Sequence, residues 1–127
     1  MLLCDAAESV GGKLFILGAG WSQTPAHDPT NMALAVKLSI ASDRPNRPVD
    51  VRAFLVDETG GVVFQGGMPV ALGGEVDVGR PYGLDPRFPL DLSFVLNFPG
   101  LVLSPGNYVW QLEIDGEIRS RIPMQAF

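Results

Sequence analysis

Few side chains in this chain could do acid–base chemistry. His27 is the only histidine, and it lies in the stretch QTPAHDPTN beside Asp28. A histidine oriented by a carboxylate could act as a general base, but hydrolysis also needs a nucleophile and an oxyanion hole. No G-x-S-x-G elbow is present in the sequence. We therefore predict a loop histidine held by turn chemistry, in a protein that is not an enzyme.

Metal and nucleotide sites lack their usual spacing as well. One histidine and one cysteine, Cys4, cannot make a zinc site. The scattered acidic residues form no D-x-D-x-D-G calcium loop. Residues 17–21 contain a G-x-G, but the rest of the dinucleotide fingerprint and its helix are missing. We predict no cofactor and no metal, and expect Gly18 and Gly20 to let a strand bend or to let Trp21 lie close to the backbone.

Length and charge limit the classes of partner. The chain has 127 residues, of which 46% are hydrophobic, so residues 1–127 are expected to form one domain. A net charge of −5 argues against nucleic acid and against anionic membrane surfaces. The lone cysteine allows no internal disulfide, and neither a secretory signal nor a membrane helix of about 20 apolar residues is recognisable. We predict a cytoplasmic protein without nucleic-acid or membrane partners.

The residues between the breakers alternate as strands do. Fifteen Gly and eleven Pro leave little room for a long helix. Residues 90–98 place Leu and Phe on one face and mostly polar residues on the other, and residues 33–41 repeat the pattern. Residues 2–9 and 13–18 are predicted to pair across a turn at residues 10–12. A second hairpin is expected from residues 49–57, a loop at 58–61 and residues 62–64.

Two further features belong to this prediction. Residues 13–18, KLFILG, are apolar on both faces, which indicates a strand covered on both sides or at an interface. Three segments look irregular: residues 20–32, 42–48 and 79–89.

The C-terminal stretch SPGNYVWQLEIDGEI predicts a hairpin with a buried face. Tyr108 and Trp110 could stack on a sugar or a peptide, but core packing is favoured. A two-residue turn at Asp115-Gly116 in a regular ladder would turn three charged residues inward. A three-residue loop from Ile114 keeps the inward face apolar, and we predict this register because a slip of one residue inverts every side chain. Its pairs would be Leu112–Ile118, Trp110–Ser120 and Tyr108–Ile122.

Together these features predict an all-β fold. About seven to nine short strands favour an antiparallel two-sheet sandwich, immunoglobulin-like in broad architecture. A small closed β-barrel is the alternative. The turn before Tyr108 favours the sandwich, because such folds often place a corner aromatic there.

Two surfaces are candidates for contact with a partner. Trp21 ends a strand and opens a polar, Pro-rich loop, so a rim or interface position is plausible. The Gly- and Pro-rich segment 79–89 interleaves aromatic residues with arginines, types that are enriched in interface hot spots. The same segment could instead be an ordered crossover between sheets. The candidate interface residues are Trp21, Arg80, Tyr82, Arg87 and Phe88.

The chain also resembles a known family. The stretches LLCDAAESVGGKLFILGAGWS, VGRPYG and LSPGNYVWQLEIDGE together resemble an uncharacterised bacterial domain family of unknown function, common in actinobacteria. The likeness spans nearly the whole chain, and its motifs are structural in type. It implies a β-sandwich of bacterial origin and transfers no catalytic residue.

These observations predict a non-enzymatic β-sandwich protein that acts through protein contacts, with a protein partner or as a homo-oligomer. A low charged fraction of 18% and exposed strand edges are the main reasons. The alternative is a small-ligand or carbohydrate-binding module that uses Trp21, Arg80 and Tyr82.

Overall fold

A computed structural model describes residues 1–41, 47–77, 83, 85 and 87–127. These residues form strands and turns, with no helix among them. No segment of the described chain is therefore a helix that could cross a bilayer. The strands are β1 (Leu2–Val10), β2 (Lys13–Ala19), β3 (Gln23–Thr24), β4 (Thr30–Ile40), β5 (Pro48–Val56), β6 (Phe64–Gln65), β7 (Met68–Pro69), β8 (Ala71–Asp77), β9 (Leu90–Leu101), β10 (Gly106–Ile114) and β11 (Glu117–Ala126).

Two open sheets make up the sandwich. The first sheet has the order β2-β1-β4-β9 and is antiparallel throughout. The second has the order β3-β11-β10-β5-β8 and is antiparallel except for the parallel pair β3–β11. The strands β6 and β7 form a separate small hairpin. The all-β sandwich prediction is confirmed, and neither sheet closes into a barrel.

The core lies between the two sheets, because the strands of both sheets alternate apolar residues that face inward with residues that face outward. Leu34 and Val36 of β4 pack in one buried cluster with Leu55 of β5. Trp110 of β10 is fully buried, and its ring lies 4.5 Å from that of Phe98 of β9, centroid to centroid, at 44°. These contacts join one sheet to the other, so the inward-facing residues of the two sheets form one shared core.

The C-terminal hairpin corrects one prediction and confirms another. Its loop is the two-residue Asp115-Gly116 turn, with φ of 51° and 81°, so the predicted three-residue loop is wrong. The inward face nevertheless stays apolar, because Arg119 is an extra residue in a β-bulge that shifts the register. The resulting pairs are Leu112–Ser120, Trp110–Ile122 and Tyr108–Met124. The predicted face of β11 is therefore the buried one, but a β-bulge and not a longer loop places it inward.

Tyr108 forms the predicted corner. Its hydroxyl donates to the Ser104 carbonyl, four residues upstream, at 2.7 Å. Burial, followed by the nearby Asp57 and Glu58 carboxylates, raises the pKa of the Tyr108 phenol. The phenol therefore stays protonated and can donate this hydrogen bond to Ser104. This contact fixes the chain as it enters β10, and the core reading of both Tyr108 and Trp110 is confirmed.

Other boundaries differ from the predictions in detail. Residues 20–32, predicted irregular, contain β3 and the first residues of β4. The loop after β5 is the expected tight turn, in which Asp57 accepts hydrogen bonds from Thr59 and Gly61. The predicted second hairpin with residues 62–64 is wrong, because β5 pairs with β8 and β10 instead. Val62 makes only an isolated bridge to Val56 before β6 begins.

Candidate interaction surface

The N-terminal hairpin carries the candidate surface. Strands β1 and β2 pair from Val10–Lys13 outward across Gly11 and Gly12, whose φ angles of 58° and 75° suit a two-residue turn. The predicted hairpin is thus confirmed. The part of the hairpin beyond the pairing of β1 with β4, residues 6–17, is called the arm below.

The arm bends where it leaves the sheet. Strand β1 pairs with β4 only through Leu2–Cys4, and the ladder to β2 skips the pair Asp5–Gly18. Gly18 has φ of 64°, and a Cβ added there would lie 2.7 Å from Cγ of Asp5. Only glycine fits this combination of conformation and contact. The expectation that Gly18 lets a strand bend is confirmed.

The underside of the arm lies across the outer face of the first sheet. Both of its strands contact β9, which is not their neighbour in the sheet. The Ser9 hydroxyl donates to the Ser93 carbonyl at 2.9 Å. Small side chains permit this close approach. The cluster beneath the arm consists of Cys4, Ala33 and Ala35, fully covered, with Ala7, Leu14 and Val95 around them.

Cys4 reports how tightly the arm covers this cluster. Its side chain has no exposed surface, and its thiol donates to the Ala33 carbonyl at 3.4 Å. Burial first, and the adjacent Asp5 carboxylate second, raise the pKa of the thiol. The thiolate, which is the reactive form, is therefore disfavoured at this position.

The outer side of the arm is uncovered. Phe15 is 57% exposed, Leu17 is 70% exposed and Val10 is 56% exposed. Within the described part of the chain, the prediction that residues 13–18 are covered on both sides is wrong, because the outer side is exposed and Ile16 on the underside is still 37% exposed. The other half of that prediction, a position at an interface, stays a prediction. The sequence signal was the lack of any polar alternate in LFIL.

Of the residues that the structure describes, those predicted for the interface lie in separate parts of the fold. Trp21 packs partly buried against the main core, and its indole Nε1 is buried without a hydrogen-bond partner among the described residues. The backbone amide of Gly20, next to Trp21, donates to the Leu3 carbonyl at 3.2 Å. Phe88 lies elsewhere, two residues before β9 begins at Leu90. Arg80 and Tyr82 lie outside the described residues.

Arg87 and Phe88 form a local turn on the surface. The Arg87 guanidinium pairs with Asp85 at 2.7 Å, and the Phe88 amide donates to the Asp85 carbonyl at 3.0 Å. The Asp85 carboxylate raises the pKa of Arg87 above its ordinary value. Phe88 is 64% exposed. The turn therefore presents an aromatic ring beside a paired cation.

The side chains considered for chemistry are dispersed. His27 is exposed in a loop with φ of 66°, where its backbone amide donates to Leu103 at 2.9 Å. Across the described ranges, no three His, Cys, Asp or Glu residues group as metal ligands. One end of the sandwich has an open cleft of about 630 Å³. Its described walls include Leu38, Ile40, Val49, Ile114, Arg47 and Arg119.

The fold and the arm define a β-sandwich with an uncovered apolar edge. The chain belongs to a family of unknown function, DUF6941, whose profile matches residues 1–127. This match confirms the resemblance at the level of a family of unknown function, and the bacterial origin stays a prediction. Neither a curated protein nor a solved structure matches the chain.

Proposed function

We propose that this protein is a non-enzymatic interaction module that self-associates through the free edge of β2. The observation that carries the proposal is the exposure of Phe15 and Leu17 on a seven-residue edge strand. A long apolar edge offers unpaired backbone groups and side-chain contacts to a second strand. The dispersed polar residues favour a binding role over a catalytic one.

The other sheet edges are protected in ways that β2 is not. Strand β3 has only two residues. Strand β8 carries Glu75 and Asp77, and its Gly73 and Gly74 leave little side chain to pack. On β9, the Ser93 carbonyl already accepts a hydrogen bond from Ser9 of β1, and Asp91 pairs with Lys37 at 3.6 Å. From Leu14 to Ala19, β2 has neither charge nor proline, the usual guards against edge pairing.

The expected strength of association follows from the exposed area. Burying one Phe or Leu side chain contributes about 1.5–3 kcal/mol. Phe15 and Leu17 from two copies would give at most roughly 6–12 kcal/mol, because they are 57% and 70% exposed. The association cost is about 4–15 kcal/mol. The balance predicts reversible self-association that is micromolar or weaker, on the order of −8 kcal/mol or less in magnitude.

Leu17→Lys tests the proposal against a matched control. Leu17 is 70% exposed on β2 and Met68 is 69% exposed on the β6–β7 hairpin, so the same substitution meets similar solvent exposure. We expect Leu17→Lys to abolish concentration-dependent dimerisation in light scattering, because it places an ammonium on the pairing edge. Met68→Lys should leave dimerisation unchanged. A wild-type chain that stays monomeric at millimolar concentration, or equal loss in both variants, would contradict the proposal.

A small-ligand role has one observation in its favour, which is the cleft of about 630 Å³. Its volume is in the range of small-molecule sites, and its walls combine Leu38 and Ile40 with Arg47. Asp115 and Glu117 also line the cleft and balance Arg47 and Arg119, and Glu117 pairs with Arg119 at 3.2 Å. The cleft therefore suits a small amphipathic ligand and does not favour an anion over a neutral one. A titration with short fatty acids and a glycan panel, followed by calorimetry, tests it. Heat from neither class would remove this second candidate.

A further inference from the structure

We infer that two copies pair antiparallel, β2 against β2, about a two-fold axis that passes through Ile16. This inference rests on the proposed self-association and specifies its register. A two-fold axis perpendicular to the sheet carries each face onto itself, so residues that oppose one another must share a face. Every allowed register therefore places one residue of β2 opposite its own copy.

The faces of β2 follow from the pairing within the arm. Ala7 opposes Ile16 and Ser9 opposes Leu14, and Ala7 and Leu14 belong to the cluster beneath the arm. These positions define the underside. Phe15 and Leu17 alternate with them and lie on the outer side, opposite Glu8 and Ala6 respectively.

An axis at Ile16 gives the most favourable set of neighbours. Phe15 of each copy then opposes Leu17 of the other, and aromatic–aliphatic pairs directly opposite one another stabilise antiparallel sheets. Leu14 opposes Gly18, and Lys13 opposes Ala19. The outer rows read Glu8–Phe15–Leu17–Ala6 across the two copies, so no like charges oppose one another.

The neighbouring registers are poorer. With the axis at Phe15, the two Phe15 rings oppose one another, but each Leu17 opposes Lys13 and gains no apolar neighbour directly across. The larger Leu17 also removes more water from the ammonium than Ala19 does. With the axis at Leu17, Phe15 opposes the small Ala19 and most of its ring stays exposed. The axis at Ile16 joins two four-stranded sheets into one and brings the exposed rows of the two copies into side-by-side contact.

Single-cysteine cross-linking reads this register directly. Cys4→Ser removes the native thiol and keeps a donor for the Ala33 carbonyl. In that background, Ile16→Cys places each sulfur opposite its own copy, within the Cα spacing of about 4.4–6.8 Å that a disulfide needs. Phe15→Cys and Leu17→Cys, each alone, are offset diagonally by about 7–8 Å.

We expect Ile16→Cys to oxidise to a covalent dimer at least about tenfold faster than Phe15→Cys or Leu17→Cys alone. An equimolar mixture of the Phe15→Cys and Leu17→Cys chains should cross-link as a heterodimer. Circular dichroism would show that each variant keeps its sheets. Faster cross-linking through Phe15→Cys alone would overturn the Ile16 axis while leaving edge pairing intact. Dimerisation without cross-links at any of these positions would move the interface off β2, and a monomeric wild-type chain would refute the proposed function itself.

Discussion

The C-terminal hairpin β10–β11 and the N-terminal hairpin β1–β2 are both antiparallel, and both turn through two left-handed residues. In the first, Trp110 is fully buried between the sheets; in the second, Phe15 is 57% exposed. The sequences differ in alternation. Strand β10 places Asn107, Gln111 and Glu113 between its apolar residues, so one face suits water and the other suits the core.

Strand β2 has no such polar partners for its apolar residues. Its underside covers a cluster of alanines and Cys4, but none of the described strands packs on its outer side. An apolar residue on each face of an edge strand can be covered on both sides only by something beyond the fold. The comparison therefore teaches that the same hairpin design can serve the core or a partner, depending on what its second face meets.

Matched aromatic truncations should give the largest contrast between the hairpins. Trp110→Ala is expected to lower the free energy of unfolding by about 3–5 kcal/mol, because it opens a cavity between the sheets. Phe15→Ala should change it by no more than about 0.5 kcal/mol, since the ring is exposed. Urea unfolding at low protein concentration, where the chain is monomeric, measures both. A comparable loss for Phe15→Ala would break the comparison by showing that the arm is part of the core.

Glycine substitutions sharpen the account of the bend. Gly18 and Gly20 have φ of 64° and 91°, so alanine at either costs about 1–2 kcal/mol in backbone strain. At Gly18 alone the new Cβ also meets Asp5, whereas it meets nothing within 4 Å at Gly20. We expect Gly18→Ala to destabilise the protein more than Gly20→Ala in thermal unfolding. Equal effects would mean that the bend tolerates a side chain.

Thiol labelling measures the smallest effect, the local opening of the arm. Ser9→Ala removes the hydrogen bond to Ser93, and a bond of this kind contributes about 0.5–1.5 kcal/mol, so Cys4 should label roughly two- to tenfold faster. Ser39→Ala, an exposed serine on the same sheet, is the control.

The pH dependence of labelling follows from the raised pKa of Cys4. The thiolate fraction rises through a higher pH range than for a free cysteine, so labelling of the folded protein should keep increasing at alkaline pH. Fast labelling of the wild-type chain at neutral pH would show that the arm does not protect the thiol.

Much of the fold was predictable because burial of one face leaves a local pattern. The even positions of residues 90–98, the turn at Gly11-Gly12 and the corner at Tyr108 all follow from residue type and spacing. For the C-terminal hairpin, the buried face was predictable but the loop length and the residue pairs were not. The bulge at Arg119 corrects the face without a longer loop, and a single exposed residue gives no periodic signal.

The candidate surface was harder to predict for a similar reason. The lack of polar alternates in β2 indicated an interface, yet Trp21, Arg87 and Phe88 were chosen for their residue types. Residue type does not reveal that Trp21 packs against the core while Phe15 meets solvent. Exposure depends on which segments cover a side chain, and those segments are distant in sequence.

The amino-acid sequence by itself determined most of the long strands, the turn at Gly11-Gly12 and which faces avoid water, because these depend on neighbours one or two residues apart. Only the tertiary structure decided that the arm bends at Gly18, lies across β4 and β9, and leaves β2 as an unguarded edge. These features depend on contacts such as Ser9–Ser93, which join residues 84 positions apart, and no local pattern encodes them.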